Sequence, residues 1–125
     1  MACTVLFVED DQGVRESTEA ILASAGFRML VAEDAEIALR LLAENNVDVL
    51  FTDIVMPGMS GIDLVRLAHE RYPHVKTMLM TGYYSRAKEA AQLGTLLFKP
   101  ARAPEMLESL RVLLAAAPNA DCRFI

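Results

Sequence analysis

The chain has few of the residues that would tie it to a disulfide scaffold, a nucleic acid or a membrane. Its 125 residues include two cysteines, Cys3 and Cys122, which are too few and too far apart for a metal knuckle or a disulfide framework. The net charge of −5 leaves no basic face to neutralise nucleic-acid phosphates. No uncharged apolar run approaches the roughly 20 residues that cross a bilayer, and the start MACTVLFVEDD lacks the basic region of a signal peptide. We therefore expect an acidic cytoplasmic protein without membrane insertion or direct nucleic-acid binding.

The chain does have enough apolar residues to fill one core. Hydrophobic residues make up 54% of the sequence, more than a disordered chain carries. The length suits one ordinary domain. We predict one domain over residues 1–117 and a frayed C-terminal tail over residues 118–125.

Two kinds of hydrophobic pattern alternate along the sequence. Short β-rich runs predict five strands, and the third and fourth are apolar nearly throughout, as in strands buried on both faces of a parallel sheet. The runs are Thr4–Val8, Phe27–Ala32, Val47–Thr52, Lys76–Met80 and Leu96–Phe98. Five segments with helical spacing follow them, with Asp11 and Asp34 as candidate caps of the first two. The alternation predicts an α/β domain with a doubly wound parallel sheet.

Polar residues follow four of these strands, at the edge where open parallel sheets bind ligands. Clustered carboxylates hold a cation, and oxygen ligands without His or Cys favour Mg²⁺. A lysine and a hydroxyl opposite a metal-bound carboxylate make a cradle for a phosphoryl group, which a carboxylate can itself accept. Singly, each residue is more readily a cap, turn or surface residue, but their combination favours function. These residues are Glu9, Asp10 and Asp11, then Asp53, then Thr81, and finally Lys99.

Four motifs at these positions resemble those of the bacterial response-regulator receiver domain, over residues 4–117. They are VLFVEDD at 5–11, FTDIVMPGMSG at 51–61, LMTG at 79–82 and FKP at 98–100. The second motif is the most specific of the four. The resemblance implies a flavodoxin-like, five-stranded parallel sheet of order 2-1-3-4-5 with five helices, and a function in two-component phosphorelay signalling.

The resemblance also implies a metal site beside a phosphoacceptor. Asp53 matches the aspartate that takes a phosphoryl group from a histidine kinase or a histidine phosphotransfer protein. Asp10 matches the acid that binds Mg²⁺ directly, and Glu9 matches its neighbour, which acts through a metal-bound water. Asp53 and the backbone carbonyl of Val55 match the remaining protein ligands.

Further roles are implied for Thr81, whose hydroxyl matches the one that bonds the phosphoryl group, and for Lys99, which matches the cation that pairs with it. The implied output is a rearrangement of the fourth helix and fifth strand that alters contact with a downstream protein.

The chain departs from the family pattern in this region of the fourth helix and fifth strand. Leu96 stands where a Phe or Tyr switch is usual, Ala101 replaces a frequent Phe, and the fourth helix is short, as in receivers of hybrid histidine kinases.

Two residues are expected to prolong the phosphorylated state. Val55 and Tyr83 lie two positions after Asp53 and Thr81, where side chains flank the path of the attacking water. A hydrophobic and a bulky side chain should restrict that water, which predicts a long-lived phosphoaspartate.

Two other functions fit parts of the pattern. A haloacid-dehalogenase-type phosphatase also uses an aspartyl nucleophile, Mg²⁺ and a lysine, but it needs a second acid where this chain has Val55, and a cap domain. A pseudo-receiver that signals without phosphorylation is a second alternative, because of Leu96 and the short fourth helix.

We favour a receiver that is not an enzyme on any external metabolite. No output domain fits after Ala117, so output is expected through a partner protein, with a homodimer through the fourth-helix and fifth-strand face as a further alternative.

Overall fold

Strands and helices alternate along the whole of the described chain. The computed structural model describes residues 2–115, so the predicted tail at 118–125 and Cys122 lie outside the described residues. The strands are β1 (Thr4–Val8), β2 (Arg28–Ala32), β3 (Val49–Asp53), β4 (Lys76–Thr81) and β5 (Thr95–Phe98). The helices are α1 (Gln12–Ser24), α2 (Ala35–Glu44), α3 (Gly61–Arg71), α4 (Ala87–Leu93) and α5 (Ala103–Ala115).

The five strands form one parallel sheet in the order β2-β1-β3-β4-β5. The strand order reverses direction between β1 and β3, and in open α/β sheets the crevice at such a point is where ligands bind. The predicted doubly wound fold and strand order are therefore confirmed.

The core lies on both faces of the sheet, since successive side chains of a strand point to opposite faces. Leu6, Leu50 and Leu79 pack on one face, in a cluster that includes buried residues of α2, α3 and α4. Phe7 and Phe51 pack on the other, with residues of α1 and α5, and their ring centroids are 4.9 Å apart. Every residue of β1 and β3 is buried. The two central strands therefore give the residues that follow them a rigid base.

Local signals explain where the helices begin and end. The carboxylates of Asp11 and Asp34 accept hydrogen bonds from the backbone N–H of Val14 and Ile37, both at 2.9 Å, which confirms both predicted caps. Gly26 follows the cap of α1 with φ of 101°, a conformation that favours glycine. The fourth helix is short, as predicted, with seven residues from Ala87 to Leu93. Within residues 2–115, none of the helices combines the length and apolar character needed to span a membrane.

Candidate functional site

Three carboxylates meet where β1 and β3 end. The two strands are neighbours, and Val8 pairs with Thr52 in the register, so the residues that follow them lie side by side. One carboxylate oxygen from each of Glu9, Asp10 and Asp53 lies within 4.8 Å of the others. Glu9 is 0% and Asp53 5% exposed, whereas Asp10 faces solvent. The structure thus brings together three of the four acids that the sequence placed at this edge, and Asp11 caps α1 instead.

Lys99 lies between the two buried acids. Its Nζ donates to Glu9 Oε1 at 2.6 Å and to Asp53 Oδ2 at 2.8 Å. The backbone N–H of Lys99 donates to the Thr81 carbonyl at 2.8 Å, next to a cis Lys99–Pro100 peptide bond. One ammonium therefore faces two buried carboxylates, with a third at the rim, and the site keeps an excess of negative charge.

The excess of negative charge and the burial of the site shift the pKa values of its groups. The pKa of Glu9 is raised to about 7, mainly because the carboxyl group is buried; the hydrogen bond from Lys99 opposes the rise, and the nearby Asp53 adds to it. Burial acts against the charged form of Lys99, yet its hydrogen bonds to Asp53 and Glu9 leave its pKa raised overall. The buried Oε2 of Glu9 has no hydrogen-bond partner among residues 2–115. An acidic cluster with an unpaired buried oxygen and oxygen ligands alone fits a hard cation such as Mg²⁺.

Thr81 ends β4 beside this cluster, but its hydroxyl is engaged elsewhere. Asp53 pairs with Met80 in the register, which places Thr81 one residue beyond the end of β3. Thr81 Oγ1 donates to the carbonyl of Tyr83 at 3.2 Å and accepts from the N–H of Tyr83 at 3.0 Å. The buried hydroxyl therefore bonds its own loop in this structure, rather than a group at the acidic cluster.

Val55 lies on the loop after β3, two residues past Asp53, and its side chain is exposed. The predicted use of its backbone carbonyl does not constrain that side chain. Its role as a metal ligand, like the individual roles of Glu9 and Asp10, stays a prediction.

Sequence reasoning missed two residues that shape the site. Gly61 is the first residue of α3, and a Cβ there would lie 2.0 Å from the carbonyl oxygen of Asp53. Arg15 donates from Nη1 to the carbonyl oxygens of Glu9 at 2.9 Å and Asp10 at 3.3 Å. The MPGMSG motif could have indicated the first, because a motif that includes a glycine suggests a close approach. Nothing in the sequence indicated the second.

The doubly wound sheet with clustered acids, a lysine and a hydroxyl at its carboxyl edge is the arrangement that the receiver resemblance predicts. The chain belongs to the response regulator receiver domain family, whose model matches residues 5–111. The family resemblance predicted from the motifs is thereby confirmed, and receiver domains are in general signalling modules rather than enzymes.

Individual relatives support this assignment. The chain is 39% identical to response regulator protein FleR of Pseudomonas aeruginosa over 126 residues, which cover 97% of this chain and 27% of that protein. It is 32% identical to response regulator receiver protein CpdR of Brucella abortus, covering 90% of this chain and 98% of that one. Response regulator protein TrrA of Thermotoga maritima, solved in complex with Mg²⁺–BeF, matches with a TM-score of 0.83 at 26% identity, covering 89% of this chain and 98% of that one. The chain thus spans about a quarter of the length of FleR, 27%.

Proposed function

We propose that Asp53 accepts a phosphoryl group in the presence of Mg²⁺ from a phosphohistidine of a histidine kinase or histidine phosphotransfer protein. The phosphorylated domain then changes its contact with a downstream protein. The observation that carries this proposal is the buried arrangement of Glu9, Asp53 and Lys99, in which one ammonium bonds both carboxylates and one Glu9 oxygen has no partner among residues 2–115.

The contacts of Asp53 support different roles for its two carboxylate oxygens. Lys99 bonds Oδ2 of Asp53, so Oδ1 is the oxygen that attacks phosphorus. The new O–P bond forms as the P–N bond to the donor imidazole breaks, and the nitrogen keeps the electron pair. Lys99 stays beside the acyl phosphate and offsets part of the added charge. Thr81 follows the register partner of Asp53 on the neighbouring strand, and in this proposal its hydroxyl turns toward a phosphoryl oxygen.

The residues around Asp53 fit a divalent cation. Glu9, Asp10, Asp53 and the carbonyl of Val55 would hold it, with Glu9 acting through a metal-bound water. When bound, Mg²⁺ supplies positive charge against the carboxylates and the incoming phosphoryl oxygens. Without such a charge, a phosphoryl group would add to a site that already holds more carboxylates than cations.

We propose the partners by class only: a histidine kinase or histidine phosphotransfer protein as donor, and a downstream protein as target. FleR and CpdR are response regulators by name, and receiver domains interact with histidine kinases and with downstream effectors. Asp53 is nearly buried but lies at the carboxyl edge of the sheet, where ligands bind. A phosphohistidine on a second protein would approach it from that edge.

The proposal is tested by incubating the folded protein with acetyl phosphate and Mg²⁺ and measuring intact mass. We expect a gain of one phosphoryl group in the wild type, and no gain in Asp53→Asn or in chelator. Asp11→Asn is the matched control, because Asp11 is a neighbouring acid that caps α1 and lies outside the cluster. It should gain the group as the wild type does.

Two results would contradict the proposal. A folded wild type that gains nothing favours the pseudo-receiver, in which Asp53 is an ordinary strand-end acid. A gain that persists in Asp53→Asn places the acceptor elsewhere.

A further inference from the structure

Arg15 bonds the backbone of the two acids that follow β1. It lies near the start of α1, and its Nη1 donates to the carbonyl oxygen of Glu9 at 2.9 Å and to that of Asp10 at 3.3 Å. Among residues 2–115, its guanidinium forms no ion pair with a carboxylate, although three acids directly precede α1. The side chain therefore holds main-chain carbonyl groups rather than neutralising another side chain.

The two carbonyl groups belong to the peptide units on either side of the Asp10 Cα. Each unit is planar, so φ and ψ of Asp10 are the only soft torsions between them. Because one nitrogen of Arg15 bonds an oxygen of each unit, rotating either torsion would strain or break one of these hydrogen bonds. Arg15 therefore restrains the direction in which Asp10 projects its carboxylate.

Asp10 is the acid of the cluster that most needs this restraint. Lys99 bonds the buried carboxylates of Glu9 and Asp53. Asp10 is exposed, and no side chain among residues 2–115 bonds its carboxylate. Repulsion from the other acids favours a turn of this carboxylate into solvent. A restrained backbone instead keeps it where the three acids place one oxygen each within 4.8 Å of one another.

We propose that Arg15 is a positioning residue for Mg²⁺, which sets the direction of the Asp10 carboxylate through the two backbone carbonyls. This inference rests on the proposed function and adds how the loop between β1 and α1 prepares the metal site. Groups that orient metal ligands from outside the site change metal affinity about 10- to 100-fold when they are substituted.

The sign of the change in affinity separates positioning from charge. Arg15 is a cation beside an acidic cluster. By charge alone, its removal should strengthen the binding of Mg²⁺, because like charges repel. Loss of positioning should weaken that binding.

The binding of Mg²⁺ to the unphosphorylated protein can be measured by isothermal titration calorimetry. In Arg15→Met, which keeps an apolar stem and removes the donors, we expect Mg²⁺ to bind about tenfold more weakly. Arg15→Lys keeps a nitrogen donor and should recover part of the affinity. Arg102→Met is the matched control, because it removes an exposed arginine that follows Lys99 and bonds none of the acids. Its Mg²⁺ affinity should not fall.

A double substitution tests whether Arg15 acts through Asp10. Asp10→Asn should itself weaken Mg²⁺ binding, because it removes a carboxylate charge. Adding Arg15→Met to Asp10→Asn should then lower the affinity much less than Arg15→Met does in the wild type. Labelling by acetyl phosphate gives a second readout. In Arg15→Met the Mg²⁺ concentration for half-maximal labelling should rise about tenfold, while the rate at saturating Mg²⁺ stays close to that of the wild type.

The outcomes separate this inference from the proposed function, with urea unfolding in chelator as the check that each variant is folded. Equal or tighter Mg²⁺ binding by Arg15→Met overturns the inference alone, and so does a fully additive loss in the double variant. An equal loss in Arg102→Met, or no recovery in Arg15→Lys, also overturns it, because the loss would then not depend on the bonded nitrogen. A folded wild type that binds no Mg²⁺ overturns the metal site of the proposed function and this inference together.

Discussion

The centre of the sheet and its β5 edge are built differently. Every residue of β1 and β3 is buried, and these strands end in Glu9 and Asp53. At the edge, one of the four residues of β5 is buried, and the seven-residue α4 buries Ala90 alone among its described side chains. The two buried carboxylates thus follow fully buried strands, whereas Lys99, which bonds both of them, follows the less buried β5. The departures from the family pattern, Leu96 and the short fourth helix, lie at the edge.

The difference in burial between the sheet centre and the β5 edge implies a difference in the free energy of local opening. A region with few buried apolar contacts opens at lower free energy than one with many. The exposed pair of Arg66 with Glu89 joins α3 to α4, and Glu89 also pairs with Arg86 at the start of its own helix, but such exposed pairs contribute little. The β5 edge is therefore expected to resist rearrangement less than the centre of the sheet does.

The largest effect is expected from Gly61→Ala. The added Cβ would lie 2.0 Å from the Asp53 carbonyl oxygen, between two elements of the rigid centre. We expect a loss of about 3 kcal/mol in the free energy of unfolding, measured with urea. Gly94→Ala is the comparison at the edge, where a Cβ would lie 2.6 Å from the Thr77 carbonyl oxygen. An equal or larger loss at Gly94 would contradict a stiffer centre.

A smaller loss is expected from Lys99→Met. The substitution leaves Glu9 and Asp53 buried and close together without their common cation. Removing one partner of a buried pair is destabilising, and since Lys99 is partly exposed we expect about 2 kcal/mol in chelator. Arg111→Met, which removes an exposed pair with Glu108, is the control and should change stability by less than about 0.5 kcal/mol. Similar losses of stability in the two variants would mean that the ion pairs of Lys99 stabilise the fold no more than an exposed pair does.

The pKa of Glu9 predicts a pH dependence of metal-free stability, smaller than the loss in Lys99→Met. Burial raises that pKa to about 7, so the folded state binds a proton that the unfolded state releases at lower pH. The resulting stabilisation is fully present below the unfolded pKa and is lost as the pH rises through about 7. In chelator, wild-type stability should fall between pH 5 and pH 8 more than that of Glu9→Gln. Parallel curves for the two proteins would contradict this.

The smallest effect concerns the lifetime of the phosphoryl group, and it rests on the proposed function. Val55 and Tyr83 are both exposed on the loops beside Asp53 and Thr81. If they restrict the attacking water, Val55→Asn with Tyr83→Asn should speed dephosphorylation about tenfold, which is about 1.4 kcal/mol of barrier. Met59→Asn on the same β3–α3 loop is the control. Decay at the wild-type rate would show that neither side chain controls the water.

Most of the fold could be predicted because its signals are local. The bounds of β1, the caps at Asp11 and Asp34, and the strand order all agree with the sequence patterns or the family resemblance. The differences fall where tertiary context decides. Val47 is buried before β3 begins at Val49, so its apolar character extended the predicted strand by two residues.

The site was predictable as a set of residue types and less so as a set of contacts. Strand ends place Glu9, Asp53 and Lys99 at one edge, but no pattern shows that Lys99 bonds both acids across separations of 90 and 46 residues. The bonds from Arg15 to backbone carbonyls and the contact between Tyr84 and Phe98 likewise depend on side-chain directions that a sequence does not specify.

The central claim is that the acid ending the rigid β3 strand is the phosphoacceptor. Borohydride reduces an aspartyl phosphate to homoserine, which marks the modified residue in peptide mass spectra. After treatment with acetyl phosphate and Mg²⁺, we predict homoserine at position 53 and none at Asp10 or Asp11. Homoserine at either of those acids, or at no acid of a folded protein, would contradict the account.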